Sequence, residues 1–466
     1  MPRVLPLAQN NRTMRALTYF SRIFVGGLFI VSGIIKANDP LGFSYKLQEY
    51  FAESALNLPF LEPYALVLAI LACLAEIVLG FAVIFGAKMP LATWALLILT
   101  LFFGWLTLYT ATCDEAGTYD IMVNGIMENR PVTCVTDCGC FGDAMKGSIG
   151  RSLTPWESFY KDLVLFIFIV PLFLQRNKIS LNNAAEDVRI LPGALVIVSM
   201  LCWLFGWMFP LVFALIGMAG YLLIKRFSAR SEWLAAGYIT LICLVFVYYC
   251  VQHLPLKDYR PYAIGKSIPE QMKSAEELGL QAPEYVYNYV MVNAASGERV
   301  TITSKQYMAD KWWERKEYIQ DKEGTQGPFK IKDGYEATIP DFSMMDEEGS
   351  EVNYMILEAE TPVLLVITYD VDKAGKGITK VGALADECIA NGVEVFGLTS
   401  SMQDKVETLR HEHQLAFPYG YADEKVLKTL VRANPGLVLM DKGVVLAKWS
   451  DSDVPSYDVI KKILGR

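Results

Sequence analysis

Long apolar runs separated by short polar connections occupy the first 252 residues of the chain. The first three runs are Leu17–Ile35, Tyr64–Phe85 and Leu91–Ala111. Each is long enough to cross a hydrocarbon core, which takes about 20 apolar residues. A fourth run, Leu163–Leu174, reaches spanning length if it begins near Trp156. This pattern predicts a series of membrane-spanning helices.

The apolar stretch 190–224 determines on which side of the membrane the rest of the chain lies. A single helix of this length would be about 50 Å long, well beyond a hydrocarbon core of about 30 Å. Two helices that turn at Trp207–Pro210 fit better, and they place the basic connections on the side of the N-terminus. With a last run at Leu234–Val251, the sequence predicts about seven spans. The N-terminus is then cytoplasmic and the C-terminal part is periplasmic, as in a protein of the bacterial inner membrane.

After Val251 the pattern becomes that of a water-soluble protein. Residues 253–336 predict a periplasmic tether and a β-hairpin region, with a charged helix at 310–320 and a loop at 324–334. From residue 337 onward, short apolar runs alternate with amphipathic segments. Pro362–Tyr369 and Val393–Leu398 are typical of buried strands. This order predicts an α/β domain at 337–466.

Composition and charge narrow the range of partners. The chain of 466 residues is 53% hydrophobic. Together with the long apolar runs, this composition predicts that the protein is embedded in a lipid bilayer. A formal net charge of −8 and only three histidines argue against nucleic acid and against a histidine-based metal site. Eight of the nine cysteines precede residue 251. The last 200 residues hold only Cys388, so they cannot form an internal disulfide.

Three cysteines lie within seven residues of a predicted periplasmic loop: Cys134, Cys138 and Cys140. One interpretation is a structural disulfide knot, and a second is a zinc site with Cys113 as fourth ligand, although no histidine lies nearby. The third is an exchangeable redox pair, because a Cys-Gly-Cys disulfide closes a small, strained and labile ring. In that interpretation Cys138 and Cys140 exchange, and Cys113 and Cys134 form a structural or relay disulfide.

Two ionisable residues fall inside predicted spans. Arg22 lies in the first span and Glu76 lies near the middle of the second, at depths that differ by only about 7 Å. Their side chains could therefore pair or line a polar pocket. The alternative is that Arg22 extends to the membrane surface and Glu76 is protonated inside the bundle.

Residues 15–175 resemble the DoxX/MauE family of redox-associated four-helix membrane proteins. The resemblance rests on three groups of residues: Arg22, Gly26-Gly27, Ser32-Gly33 and Lys36; Glu76 and Gly80; and Cys138-Gly139-Cys140-Phe141-Gly142. It implies a four-helix domain at 1–176 and thiol chemistry outside the cytoplasm. MauE-like members are linked to disulfide formation during maturation of a methylamine-oxidising enzyme. The three further spans, at 177–252, are not part of that family core.

Residues 337–466 resemble a thioredoxin-like domain of the peroxiredoxin type. In such a domain the strand 362–369 would deliver the active-site cysteines, but Asp370–Gly375 contains none. Asn434-Pro435-Gly436 stands where that fold usually has its cis-proline. The resemblance therefore implies a domain without catalytic cysteines that binds a partner peptide beside Pro435.

Two functions are consistent with these features. The first is a possible membrane thiol–disulfide oxidoreductase that acts on envelope proteins. No cofactor is evident, and a membrane quinone is the electron acceptor to consider, although the sequence shows no quinone motif. The second is a non-catalytic membrane scaffold that recruits periplasmic or envelope proteins through the thioredoxin-like domain. The fold class expected in both cases is an α-helical polytopic membrane protein with a C-terminal α/β domain.

Overall fold

The computed structural model describes residues 7–114, 117–123, 126–135, 139, 141, 143–228, 231–375 and 377–466. The helices before residue 253 are α1 (Leu7–Asn38), α2 (Pro40–Phe51), α3 (Ala65–Phe85), α4 (Met89–Thr112), α5 (Ala144–Ile149), α6 (Pro155–Gln175), α7 (Ala184–Leu204), α8 (Phe209–Phe227) and α9 (Ser231–Gln252). A hairpin of β1 (Thr118–Val123) and β2 (Ile126–Pro131) lies between α4 and α5.

Six stretches of the described chain are long and apolar enough to cross a membrane, and they contain α1, α3, α4, α7, α8 and α9. The stretch 190–224 is divided between α7 and α8, as the sequence predicts. Gly206, at a φ of 59°, lies in the turn between them, and Pro210 occupies the first turn of α8, where a missing N–H leaves no helical hydrogen bond unmade. Helix α6 is 21 residues long but is not among the six, and its first turns carry charged side chains.

Helix α1 is the centre of the bundle and packs against α3, α6 and α7. Its closest approach is to α3, where a Cβ at Gly26 would lie 2.9 Å from the carbonyl oxygen of Gly80. The reverse contact, from Gly80 to the carbonyl oxygen of Gly26, has the same length. Small residues at a helix crossing allow two backbones to touch, and here they set the register of α1 against α3.

A three-stranded antiparallel sheet follows the membrane part of the chain. Its order is β4-β3-β5, formed by β3 (Glu284–Asn293), β4 (Arg299–Thr303) and β5 (Tyr318–Lys332). The predicted hairpin corresponds to β3 and β4. The helix predicted at 310–320 is wrong, because only Trp312–Glu314 forms a short 3₁₀ turn there and residues 318–320 begin β5. The loop predicted at 324–334 is wrong, because residues 324–332 belong to β5, which pairs with β3.

The C-terminal domain is a six-stranded mixed sheet with helices on its faces. Its elements are β6 (Met344–Met345), α12 (Tyr354–Leu357), β7 (Val363–Ile367), α13 (Gly377–Ala390), β8 (Glu394–Thr399), α14 (Gln403–His413), β9 (Tyr419–Ala422), α15 (Glu424–Leu430), β10 (Gly436–Asp441), β11 (Val444–Ser450) and α16 (Tyr457–Ile463); α10 (Ile268–Met272) and α11 (Ser304–Ala309) precede it. The strand order is β11-β10-β7-β8-β9-β6, with β7, β8 and β9 parallel and the others antiparallel. Every residue of β7 is buried, as its unbroken apolar run predicts.

Candidate functional site

A disulfide between Cys113 and Cys134 closes the base of the β1–β2 hairpin. Cys113 directly follows α4, and the two Cα atoms are 5.8 Å apart. The backbone N–H of Thr133 donates to the carbonyl of Ser54, which attaches the same base to the segment after α2. A disulfide sulfur is not a zinc ligand, so this pairing removes two of the four thiolates that the zinc interpretation needs.

The cysteine segment, residues 134–143, continues from this disulfide. Cys138 and Cys140, the predicted redox pair, lie outside the residues that the structure describes. Gly139 is described, with a φ of 62°, and a Cβ there would lie 2.9 Å from Cγ of Lys46 on α2. A side chain at this position would meet α2 and strain the backbone, which explains the glycine.

The end of the cysteine segment is held by the turn between α7 and α8 and by the C-terminal domain. Phe141 is buried, and its ring centroid is 5.2 Å from that of Phe205. Asp143 lies 3.7 Å from Nζ of Lys146 and 3.9 Å from Nη2 of Arg432. The segment is therefore flanked by side chains from both halves of the chain.

Arg432 lies in the turn between α15 and β10, and its side chain contacts the membrane part of the chain. Its Nε donates to both carboxylate oxygens of Asp39, at 3.1 and 2.9 Å, and its side chain is only 7% exposed. Asp39 in turn accepts from the backbone N–H of Gly42 and so caps the N-terminus of α2. Burial would lower the pKa of the Arg432 guanidinium, but the carboxylates of Asp39 and Asp143 outweigh it and raise that pKa.

The same edge of the C-terminal domain carries the proline turn. The Asn434–Pro435 peptide bond is cis, and Pro435 is buried. Asn434 exchanges two hydrogen bonds with the backbone of Asp370, just after β7. Beside them, the hydroxyl of Tyr369 is 3.1 Å from that of Tyr45 on α2. This edge faces the membrane part of its own chain.

A buried ion pair lies inside the bundle, with partners that differ from those predicted. Nζ of Lys36 is 2.5 Å from Oε1 of Glu76, and the hydroxyl of Ser32 donates to Oε2 of Glu76 at 3.0 Å. The predicted pairing of Glu76 with Arg22 is wrong. The reason is the register of α1 against α3, which places Gly33, eleven residues or about 16 Å beyond Arg22, beside Glu76.

Arg22 is buried and binds the end of α3 instead. Its guanidinium donates to the carbonyls of Val83 and Ile84, both at 2.9 Å, and to Oδ1 of Asn182 at 2.5 Å. These carbonyls belong to the last turn of α3, where helical N–H partners run out; that of Val83 also accepts a bond of 3.3 Å from the N–H of Gly86. The side chain therefore satisfies the end of α3 and is itself buried.

Five other cysteines are described, and all are buried and free of disulfides: Cys73, Cys202, Cys243, Cys250 and Cys388. Burial raises the pKa of the Cys388 thiol to about 11, so it is protonated near neutral pH. Cys388 lies on α13, away from the loop after β7. It is therefore a core side chain of the C-terminal domain.

A charged cluster that the sequence did not reveal joins the tether to β11. Asp258 accepts from Nε and Nη2 of Arg260, and Nζ of Lys448 donates to it at 3.0 Å. Burial and the nearby Arg260 lower the pKa of Lys448 to about 7. Asp258 and Arg260 are two residues apart, so the sequence could have predicted that they pair. Nothing in the sequence indicated that Lys448 joins them.

The apolar helices, the disulfide-closed hairpin and the mixed sheet define a multi-pass membrane protein with a C-terminal α/β domain. Residues 14–114 match the family model of methylamine utilisation protein MauE, which confirms the predicted resemblance to MauE over α1 to α4. This part of the chain therefore carries a MauE family domain. The match ends one residue past Cys113 and does not reach Cys138 or Cys140. No curated protein matches the chain.

Proposed function

We propose that this protein performs thiol–disulfide exchange outside the cytoplasm, with Cys138 and Cys140 as the exchanging pair. The observation that carries the proposal is the Cys113–Cys134 disulfide. It occupies two of the four loop cysteines, and the five other described cysteines are buried. Cys138 and Cys140 are then the two cysteines left for exchange.

The reaction is a two-electron exchange with a client protein. One client thiolate attacks the Cys138–Cys140 disulfide and forms a mixed disulfide, which the second client thiolate resolves. The client gains a disulfide, and Cys138 and Cys140 leave the step as two thiols. Their reoxidation takes a two-electron acceptor, for which a membrane quinone, reduced to quinol, is the chemical class that fits this location. The clients we propose are envelope proteins during maturation.

The proposed topology has seven spans, with α6 as the seventh, and a periplasmic C-terminal domain. Support comes from the division of 190–224 into two helices and from the basic residues at the ends of the helices. A reporter that is active only in the cytoplasm, fused after Arg466, should then be silent. An active reporter would place the C-terminal domain on the other side.

We propose a thioredoxin-like fold for the C-terminal domain. Its support is the central parallel strands, the two antiparallel strands β10 and β11, and the turn of Asn434 and Pro435 bound to the backbone just after β7. A second candidate function rests on the loop after β7, where Asp370–Gly375 contains no cysteine. Such a domain would bind a partner protein without catalysing a reaction. The whole protein would then be a scaffold for envelope proteins.

Thiol trapping in cells separates the two functions. In the reverse direction of the exchange, one loop thiol attacks a client disulfide and its neighbour releases the client. Cys140→Ala leaves Cys138 without that neighbour, and Cys138→Ala does the reverse. One of these variants should accumulate a mixed disulfide that a reductant dissolves, and the double variant should not. Cys388→Ala is the matched control, because it removes a thiol without touching the loop.

A graded glutathione buffer provides the complementary measurement. Under the proposed function, the Cys138–Cys140 bond opens well before Cys113–Cys134, as alkylation and mass spectrometry would show. Two bonds that open together at a strongly reducing potential, with no trapped adduct, would instead support the scaffold.

A further inference from the structure

Three cations form a row on the edge of the C-terminal domain that meets helix α2. Lys425 and Lys428 lie on one face of α15, and Arg432 lies just after that helix. Nη1 of Arg432 donates to the carbonyl of Lys428, which holds the guanidinium beside the helix. We call these three side chains the basic edge. Tyr369 lies next to it, with its ring centroid 5.6 Å from Nζ of Lys428.

Acidic side chains at both ends of α2 pair with the basic edge. At the start of the helix, Nε of Arg432 lies 2.9 Å from a carboxylate oxygen of Asp39. In the last turn, Nζ of Lys425 lies 3.5 Å from Oε1 of Glu49. The two acids are about 15 Å apart along the helix, at 1.5 Å per residue. Opposite charges therefore face each other along nearly the whole of α2.

A tyrosine of α2 lies between the two acids. The ring centroid of Tyr45 is 4.6 Å from Nζ of Lys428 and 5.4 Å from the guanidinium carbon of Arg432. At such distances a cation is attracted to an aromatic face. The Tyr45 hydroxyl is 3.1 Å from that of Tyr369. This face of α2 thus offers an acid, a tyrosine and an acid in turn, and each of them meets a cation.

The opposite face of α2 is held by the membrane part. Phe43, Leu47, Tyr50 and Phe51 are buried in the apolar core of the helical bundle. The contact with the C-terminal domain is instead made by ion pairs and polar rings. Because the two faces differ in this way, α2 stays on the bundle if the basic edge turns away from it.

We propose that the basic edge is a binding surface for acidic, tyrosine-bearing helices and that α2 is its resident ligand. A partner protein that carries such a helix competes with α2, and the basic edge is closed to that partner while α2 is docked. Charge complementarity defines the partner: two carboxylates and an aromatic ring between them on one helical face. The proposal stands whether or not the protein exchanges thiols, because ion pairs and ring contacts carry it.

Competition within one chain makes the expected behaviour specific. The side chain of Asn38 exchanges two hydrogen bonds with the backbone of Lys257 on the tether, which keeps the C-terminal domain beside α2. An added ligand therefore competes with an intramolecular one, which has a high effective concentration. Weakening of α2 should increase the affinity of the basic edge for the added ligand. Weakening of the basic edge should abolish that gain.

The test uses the full-length protein in detergent and a fluorescein-labelled peptide of residues 39–51 of this chain. Fluorescence anisotropy should show that Tyr45→Ala binds the peptide about tenfold more tightly than the wild type, since the resident helix loses its ring and hydroxyl contacts. In the Tyr45→Ala background, Lys425→Met/Lys428→Met should remove the gain. Arg410→Met in that background should keep it, because Arg410 pairs with Glu347 and Glu407 elsewhere in the domain.

A second peptide and a second protein variant complete the comparison. The peptide with Asp39→Asn, Tyr45→Ala and Glu49→Gln should show no gain, because it lacks the three groups that the basic edge binds. The protein variant Glu49→Gln keeps Tyr45 and should show the same gain as Tyr45→Ala, so the test remains valid if Tyr45→Ala fails to fold. Equal affinity of the acidic peptide for the wild type and for both variants would overturn the proposal.

A cross-link reports on the resident helix in the same samples. A carbodiimide condenses the Glu49 carboxylate with the Lys425 amine to an amide and is itself hydrated to a urea; the 3.5 Å separation of the two groups allows this in the docked state. Saturating peptide should suppress the cross-link in Tyr45→Ala, as mass spectrometry of the digested protein would measure. Peptide binding that leaves the cross-link unchanged would also overturn the proposal, because the peptide would then bind away from the basic edge.

Discussion

Gly139 of the cysteine segment and Tyr369, just before the loop after β7, both lie against α2, yet the two regions differ in their side chains. The first holds Cys138 and Cys140 in sequence, and the second holds Asp370–Gly375 with no thiol. The C-terminal domain instead presents Tyr369 and Arg432 to the helix that the cysteine segment also contacts. We infer that chemistry and docking are divided between the two parts of the chain.

The buried ion pairs of the bundle and of the tether differ in the number of cations beside the carboxylate. Among the described residues, Glu76 in the bundle has one cationic partner, Lys36, whereas Asp258 on the tether has two, Arg260 and Lys448. Loss of one cation therefore leaves a buried unpaired carboxylate in the bundle but not at the tether. The pair in the bundle therefore depends more strongly on its one cation than the tether cluster does on Lys448.

The largest expected effect concerns the thiols themselves. In a single-turnover assay, the oxidised full-length protein should oxidise one equivalent of a dithiol peptide. The Cys138→Ser/Cys140→Ser double variant should oxidise none, and Cys388→Ser should match the wild type, because its thiol is buried in the core. Activity that survives the double variant, or that depends on Cys388, would reverse the division between the two parts.

The next effect compares the two lysines. Lys36→Met should lower the free energy of unfolding by about 3–5 kcal/mol, because Glu76 stays buried without its cation. Lys448→Met should cost clearly less, because Asp258 keeps the two hydrogen bonds of Arg260. Thermal denaturation in detergent measures both. The Lys36→Met/Glu76→Gln double variant is the control and should recover part of the loss; equal costs for the two lysines would contradict the comparison.

A glycine variant tests the contact between the two parts. Gly42→Ala should cost about 1–3 kcal/mol, since its Cβ displaces Asp39 and Arg432. Gly237→Ala on α9 is the matched control, because nothing lies within 4 Å of its Cβ and alanine favours a helix. Hydrogen exchange of α2 should increase in the first variant and not in the second. Unchanged exchange in both would show that Arg432 does not need the space.

The smallest effect is the pH dependence contributed by Lys448. Its pKa falls to about 7 in the folded protein, because burial and Arg260 oppose its charge. Between about pH 7 and pH 10 the unfolded chain therefore binds a proton that the folded chain lacks, so this group makes stability rise with pH by at most about 1.4 kcal/mol per unit. The difference in thermal midpoint between wild type and Lys448→Met should move in favour of the wild type as pH rises from 7 to 9. A constant difference would mean that Lys448 stays charged.

Local pattern was sufficient for most of the elements. Apolar runs located α1, α3 and α4, and helix length alone required two helices in 190–224. Strands β7 and β8 followed from short apolar runs. Strand β5 was missed because its pattern is irregular and its stability comes from pairing with β3.

The sequence by itself determined which apolar runs form long helices, where strands β7 and β8 lie, and that Arg22 and Glu76 fall within predicted spans. Only the tertiary structure decided their partners, since a change of register along two helices moves a side chain by 1.5 Å per residue and rotates it to another face. The same holds for Arg432 and Asp39, whose contact joins positions 393 residues apart. Hydropathy and periodicity are properties of neighbouring residues, whereas an ion pair depends on the position of two distant backbones.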